Sequence, residues 1–171
     1  MPRTLVVGAT GGIKVLANSH EIANVTSISL PEIELKTEEV TGAGVLGSVE
    51  MPTPGQFGAM TTTISSRAFG TDKKYVLAQT VNLEIRIAAN MRASDGSLVV
   101  SGTRFYATGH PSKITNGSGE VGKTRDESID YSTVRYREVA DGEETLLIDQ
   151  VAGVYKVGGV DQLASLKAAL G

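Results

Sequence analysis

The sharpest pattern of apolar and polar positions lies in VNLEIRIAANM, residues 81–91. Val81, Leu83, Ile85, Ile87, Ala89 and Met91 fall on one side, and Asn82, Glu84, Arg86 and Asn90 on the other. A period of two is the signature of a strand in a sheet with one buried face. RASDGS follows, where Asp95-Gly96 accepts the positive φ of a tight turn. LVVSGTRFYATG then runs back, rich in β-branched and aromatic residues. Residues 81–108 therefore predict a β-hairpin. A second hairpin is predicted around Asp141-Gly142, between SIDYSTVRYREVA and EETLLIDQVAGVYKV. In ANVTSISLPEIELKTEE, Ile28, Leu30, Ile33 and Leu35 alternate imperfectly around Pro31. Proline donates no N–H, which places this strand at an edge or a bulge. AMTTTISSRAF reads as one more strand.

Two stretches read as loops. Residues 40–58 hold five Gly and two Pro, and residues 107–127 are polar and glycine-rich. Both exceed the usual connection length, which marks functional or disordered segments. The C-terminal GGVDQLASLKAALG predicts an amphipathic helix. Asp161 is placed to cap its start, Leu163, Leu166 and Leu170 share a face, and Lys167 lies in the last turn beside the helix dipole's negative end.

Composition narrows the class. The chain has 171 residues, 20 of them Gly, and no Cys. One domain spanning residues 1–171 is expected, large enough to bury roughly 70% of its unfolded surface. Disulfide and thiolate chemistry is excluded. A net charge of −3 argues against a dedicated nucleic-acid or anionic-membrane binder. No apolar run nears the ~20 residues that cross a bilayer. Leu5, Val6 and Val7 before Gly8 are too few for a signal peptide's apolar core, so a cytoplasmic origin is expected.

Candidate chemistry is thin. VVGATGGIK, residues 6–14, resembles a dinucleotide-binding turn, with Gly8 and Gly11 in place. Lys14 stands where a third glycine would permit close helix–strand packing, and no βαβ alternation follows. The stretch predicts a turn near the chain end. His20 and His110 lie apart in turn-like surroundings without ligand neighbours. Ser65-Ser66 lacks a nucleophile-elbow pattern. Glu38-Glu39 and Glu143-Glu144 read as solvated turn charges. No catalytic constellation, cofactor site or metal site is expected.

The segment VTSISLPEIELKTEEVTGAGVLGSVEMP, residues 25–52, is more specific. Its Leu30-Pro31, Lys36-Thr37-Glu38-Glu39, Gly42-x-Gly44 and Val49-Glu50-Met51 resemble the major tail tube proteins of contractile phage tails and R-type tailocins. The closing strand, the turn Val157-Gly158-Gly159-Val160-Asp161 and the final helix agree. An aromatic residue and Arg are usual in that family where this chain has Val40-Thr41. The resemblance implies a mainly β fold, a β-sandwich or barrel-like subunit with the helix outside. Six subunits would form a ring, and rings closing into a β-barrel tube would stack. It further implies a structural rather than enzymatic role, as a conduit for DNA or a device for membrane puncture.

On that reading residues 40–58 are an arm that stacks rings through Gly42, Gly44, Val45, Leu46 and Met51. Glu32, Glu34 and Glu38, on one strand face, would line the lumen. Implied partners are further copies, the tail sheath, the tape measure protein, the baseplate and the tube terminator, with DNA in non-specific passage and no membrane anchor. The place is the tail of a virion or tailocin assembled in the host cytoplasm. The alternatives are a tube component of a related contractile secretion system, and a β-barrel ligand-binding module or enzyme.

Overall fold

A computed structural model of the chain describes residues 6–42, 44 and 46–171. The N-terminal third holds β1 (Val6–Ala17), β2 (His20–Glu21), β3 (Val25–Ser29), β4 (Leu35–Thr41), β5 (Ser48–Phe57) and β6 (Met60–Ser66). A 3-10 turn, Gly70–Asp72, leads into the one-turn helix α1, Lys73–Val76. Then come β7 (Val81–Arg92), β8 (Leu98–Thr115), β9 (Glu127–Ala140), β10 (Glu143–Asp149), β11 (Val154–Val157), β12 (Val160–Asp161) and the helix α2 (Ala164–Leu170).

The fold is mainly β, and the strands pair antiparallel. The principal sheet runs β12-β11-β10-β9-β8-β7-β1-β2 and carries β6 and β3 as a branch. Strand β9 is the point of branching. One edge bonds to β8 from Ser128 to Ala140. The other edge takes β6 along Glu127–Thr133 and then β10 along Arg135–Ala140, so those two strands lie end to end. Strands β4 and β5 form a separate two-stranded sheet. The sheets are open within the subunit, and the expected closure is not a property of the single chain.

Alternation decides what is buried. Val15 and Ala17 of β1, Met60 and Ile64 of β6, Val81, Leu83 and Ile85 of β7, Phe105 and Ala107 of β8, Ile129, Tyr131 and Tyr136 of β9 and Ile148 of β10 meet in one core. The segment between β6 and β7 closes it with Phe69 and Val76. The Tyr131 hydroxyl donates to the Val76 carbonyl at 2.9 Å, which satisfies the phenol where it is buried. Burial pushes that phenol well above its usual titration range.

Both predicted hairpins are present, β7–β8 and β9–β10, with positive φ at Gly96, Asp141 and Gly142. Three expectations are corrected. The glycine-rich N-terminus is no turn: it lies inside β1, bulged between Val7 and Gly12 against β7. Residues 107–115 continue β8, and the loop is confined to 116–126. Residues 40–58 are mostly the β4–β5 hairpin, with only 42–47 between its strands. At Gly109 the backbones of β8 and β9 approach so closely that a β-carbon would lie 2.1 Å from the Ser132 carbonyl oxygen. The β8–β9 register shifts there, which is why glycine is required inside a strand.

Glu127 opens β9 and is almost fully buried. Its carboxylate accepts the Phe69 N–H at 3.0 Å and meets Lys73 Nζ at 3.4 Å and the Arg125 guanidinium. The Phe69 N–H above all, with the two cations, holds its titration below the usual glutamate range despite burial. A depressed carboxylate contributes its stability above the unfolded-state pKa and loses it as pH falls through the folded value. Glu127→Gln should therefore lower stability at pH 7 by about 1–3 kcal/mol. The difference between variant and native should shrink below about pH 4, as thermal melts across pH will report. Gly109→Ala should be the more damaging change, since backbone must move to admit it.

Candidate assembly surfaces

The β4–β5 hairpin is built without a core. Every residue of β4 is exposed, and β5 becomes half-buried only toward its C-terminal end. Phe57 packs edge-on against Tyr155, with ring centroids 5.0 Å apart, and the Gly58 N–H donates to the Glu34 carbonyl at 2.9 Å. Gln150 Nε2 donates to the Gly58 carbonyl at 2.9 Å. These contacts hold the base and leave the rest projecting. Cross-strand partners share a face, so the pairs Val40–Val49 and Glu38–Met51 define one side and Glu39–Glu50 the other. One side is thus largely apolar and the other acidic. Like charges directly opposed, as at Glu39 and Glu50, weaken an isolated hairpin.

Strands β1, β7 and β8 extend past the core as a second projection, a three-stranded tongue. Its outer rows are Val7–Met91–Val99 on the core side of the sheet and Val6–Arg92–Leu98 on the other. Val6, Val7, Leu98 and Val100 are all more than 60% exposed.

Between these projections the sheet's outer face carries a belt of paired charges. Lys14 meets Glu21 at 2.6 Å, Arg86 meets Glu84 at 2.7 Å, Arg137 meets Glu144 at 2.6 Å and Arg135 meets Asp149 at 3.7 Å. Arg137 also lies 5.5 Å from the centre of the Tyr106 ring. On this face Arg104, Arg92 at the tongue and Lys156 on β11 make no ion pair among the described residues. Such half-exposed pairs add little stability, but each cancels its own charge locally.

The residues expected to form the stacking arm fall on the hairpin. Gly42 follows β4, Gly44 turns at φ +96°, Leu46 is fully exposed at the tip and Met51 lies on β5 at 55% exposure. Val45 lies outside the described residues. The expected acidic row does not share one strand. Glu32 and Glu34 precede β4, Glu34 at the hairpin's base, and only Glu38 is on it. Glu38 and Glu39 are strand residues, not turn charges. His110 lies within β8, and His20 is not a bare surface residue. It stacks on Tyr75 at 3.9 Å and meets Asp72 at 3.2 Å. Helix α2 is found, shorter than expected. Asp161 accepts the Leu163 N–H at 2.9 Å and Lys167 Nζ at 2.8 Å. The salt-bridged Lys167 and that N–H hold Asp161 below the usual carboxylate range. Only Leu163 of the helix's apolar face is buried, while Leu166 and Leu170 are exposed. Sequence reasoning misses the tongue and the charge belt, because their significance lies in what the fold leaves uncovered.

Residues 12–171 match the family described as phage tail tube protein FII. The tail tube protein of Escherichia phage P2 is 26% identical over 175 residues, covering 100% of this chain and 98% of that one. Among solved structures, the tube-terminating cap of the anti-feeding prophage aligns with a TM-score of 0.55 and 16% identity over 75% of this chain and 87% of that chain. The sheath/tube terminator of the extracellular contractile injection system PVC, in its extended state, aligns at 0.53 and 18% identity, over 76% and 94%. These two likenesses are of fold.

Because hairpin and tongue are uncovered in the lone subunit, Met51→Asp should change its unfolding free energy by less than about 0.5 kcal/mol. Met60→Asp, at a buried site, should unfold it. Denaturant titration at a concentration that keeps the protein monomeric checks both.

Proposed function

The chain belongs to the phage tail tube protein FII family, and on that premise we propose that it polymerises as stacked hexameric rings into the inner tube of a contractile tail. The observation that carries this reading is the pair of β projections with apolar residues and no core of their own. Burying an exposed apolar side chain is worth about 1.5–3 kcal/mol, and only assembly supplies the cover. The β4–β5 hairpin is the stacking arm, working through Gly42, Gly44, Leu46 and Met51, with Val45 assigned to it from sequence. Open sheet edges at β2, β3 and β12 suit lateral joining, since an unpaired edge invites another strand. The subunit acts structurally, without catalysis, and its site of action is the tail.

The tube is the conduit for DNA. Duplex DNA carries a negative charge per ~1.7 Å of axis, so an unbalanced basic wall would hold it along its whole length. We assign the wall to the charge belt of β1, β7, β8, β9 and β10, where Glu21, Glu84, Glu144 and Asp149 offset four of its cations. Glu32, Glu34 and Glu38, around the hairpin, are then part of the arm or its approach and add negative charge near the channel mouth. Further partners are the sheath outside, the tape measure protein inside during assembly, and the baseplate and tube terminator at the two ends. Terminators of injection systems share the fold, which supports end-to-end docking between like subunits. It also favours a second reading, the tube of an injection system related to tailocins that moves no DNA.

Purified protein at high concentration should give hollow tubes by negative-stain microscopy, and deletion of residues 44–54 should give folded subunits that do not stack. Persistent monomers from the native chain would sink the proposal. Glu84→Gln with Glu144→Gln should leave tubes intact but make them retain short duplex DNA at low salt, with release as salt rises. Equal retention by native and variant tubes would remove the belt from the wall.

A further inference from the structure

The outer face of the sheet sets three cations side by side. Lys14 of β1 lies directly opposite Arg86 of β7, and Arg86 lies directly opposite Arg104 of β8. Like charges in opposed positions, with β-carbons only about 5 Å apart, destabilise a sheet. Two of the three are drawn aside by acids, Lys14 by Glu21 at 2.6 Å and Arg86 by Glu84 at 2.7 Å. Arg104 is exposed and makes no ion pair among the described residues, so its five N–H donors face water. The next row of the same face is Gly12–Ala88–Gly102. A β-carbon built on either glycine meets nothing within 4 Å. This row of small residues leaves a groove of about 450 Å³ beside the cations, and Lys14, Arg86 and Arg104 all line it.

We infer that this groove binds a small tetrahedral oxyanion of the phosphate class, held between the guanidinium groups of Arg86 and Arg104 with Lys14 at its margin. A guanidinium presents its donors in a planar fork that matches phosphate oxygens two at a time. Glu84 occupies Nε of Arg86, which leaves the terminal amino groups of that side chain for the anion. Gly12, Ala88 and Gly102 leave room for the anion and its water with no side chain to displace. The charge suits a small ion better than a polyanion. Lys14, Arg86 and Arg137 are each matched by a carboxylate, so one surplus charge stands here, at Arg104. Arg92 and Lys156 stand apart, at the tongue and on β11. A DNA strand is held by a succession of uncompensated cations along its backbone. The site does not depend on the tube reading. On that reading, an anion held here offsets the surplus positive charge that DNA phosphates would otherwise meet.

Inorganic phosphate is the probe. The native chain, dilute enough to stay unassembled, is titrated with phosphate at constant ionic strength, and binding is read from the phosphorus NMR line width. Saturable binding is expected. Arg104→Gln should weaken it about tenfold or more, the loss of a charged hydrogen bond. Arg104→Lys should be intermediate, since it keeps the charge and loses the fork. Glu84→Gln should act in the opposite sense and tighten binding, because it releases Arg86 Nε and removes a repelling carboxylate. Arg104 is exposed, so these variants should fold as the native chain does. Phosphate also stabilises proteins by exclusion from their surface. Thermal melts are therefore read as the difference between native and Arg104→Gln chains, and phosphate should raise the native melting temperature more. Equal phosphate binding by native and Arg104→Gln chains, or no saturable binding by the native chain, would overturn the site. So would Arg104-dependent binding of a short DNA duplex that inorganic phosphate fails to displace. Tube formation by the native chain, scored separately by microscopy, bears on the tube reading alone.

Discussion

The subunit depends on the double hydrogen-bonding of β9. One edge is filled by β8, and the other is divided between β6 and β10, which belong to distant parts of the sequence. Because β9 serves both, its inward residues Ile129, Tyr131 and Tyr136 sit under every other part of the core. The buried Thr62–Thr133 hydroxyl pair, 2.8 Å apart, marks the place where β6 and β9 run together. Glu127 then ties the start of β9 to the turn and helix that roof the core. An unpaired carboxylate there would cost several kcal/mol of desolvation, so its three donors are conditions of the fold and not additions to it.

That hub also explains the projections. A strand stabilised by its neighbours can continue beyond the core as long as hydrogen bonds continue, and β1, β7 and β8 do so. The energetic deficit shows only in the side chains, where apolar residues on both faces of the tongue meet water. A monomeric soluble protein rarely keeps apolar surface concentrated in this way. On the tube reading this surplus has a use, because residues left uncovered in the free subunit would gain cover on assembly. The charge belt obeys a different constraint: its half-exposed pairs cancel charge locally and add little to the stability of the fold.

How much is legible in the sequence follows from where the solvent lies. Residues 81–91 show their strand because one face is buried and the other wet, and Asp95-Gly96 and Asp141-Gly142 announce their turns, with positive φ at Gly96, Asp141 and Gly142. The hairpin of residues 35–57 is hidden because both its faces are open in the subunit, so no core imposes alternation. The glycines at 8, 11 and 12 suggest a turn, yet they serve bulges and, at Gly8, a close approach to the Asn90 carbonyl. Strand β8 beyond Ala107 is obscured by Gly109 and Pro111, both placed where its register against β9 shifts. The family is legible in residues 25–52, whereas the tongue is not, since exposure of Val7 or Leu98 is a property of the fold and of no motif. The helix's leucine face is legible as amphipathic, but only Leu163 finds the core.

The order of strands in the sheet carries a kinetic consequence. Strands β7, β8, β9 and β10 are consecutive antiparallel neighbours joined by local connections, the longest being residues 116–126, so their contacts are cheap in chain entropy. Strand β1 pairs with β7 across most of the first half of the chain, Val15 against Ile85. During synthesis β1 emerges long before its partner and waits as an apolar, glycine-rich segment. Gly8, Gly11 and Gly12 have low strand propensity, so the waiting segment makes a poor strand for another chain to extend. The glycines that disguise β1 as a turn thus also lower the tendency of its unpaired form to act as a strand before β7 is made.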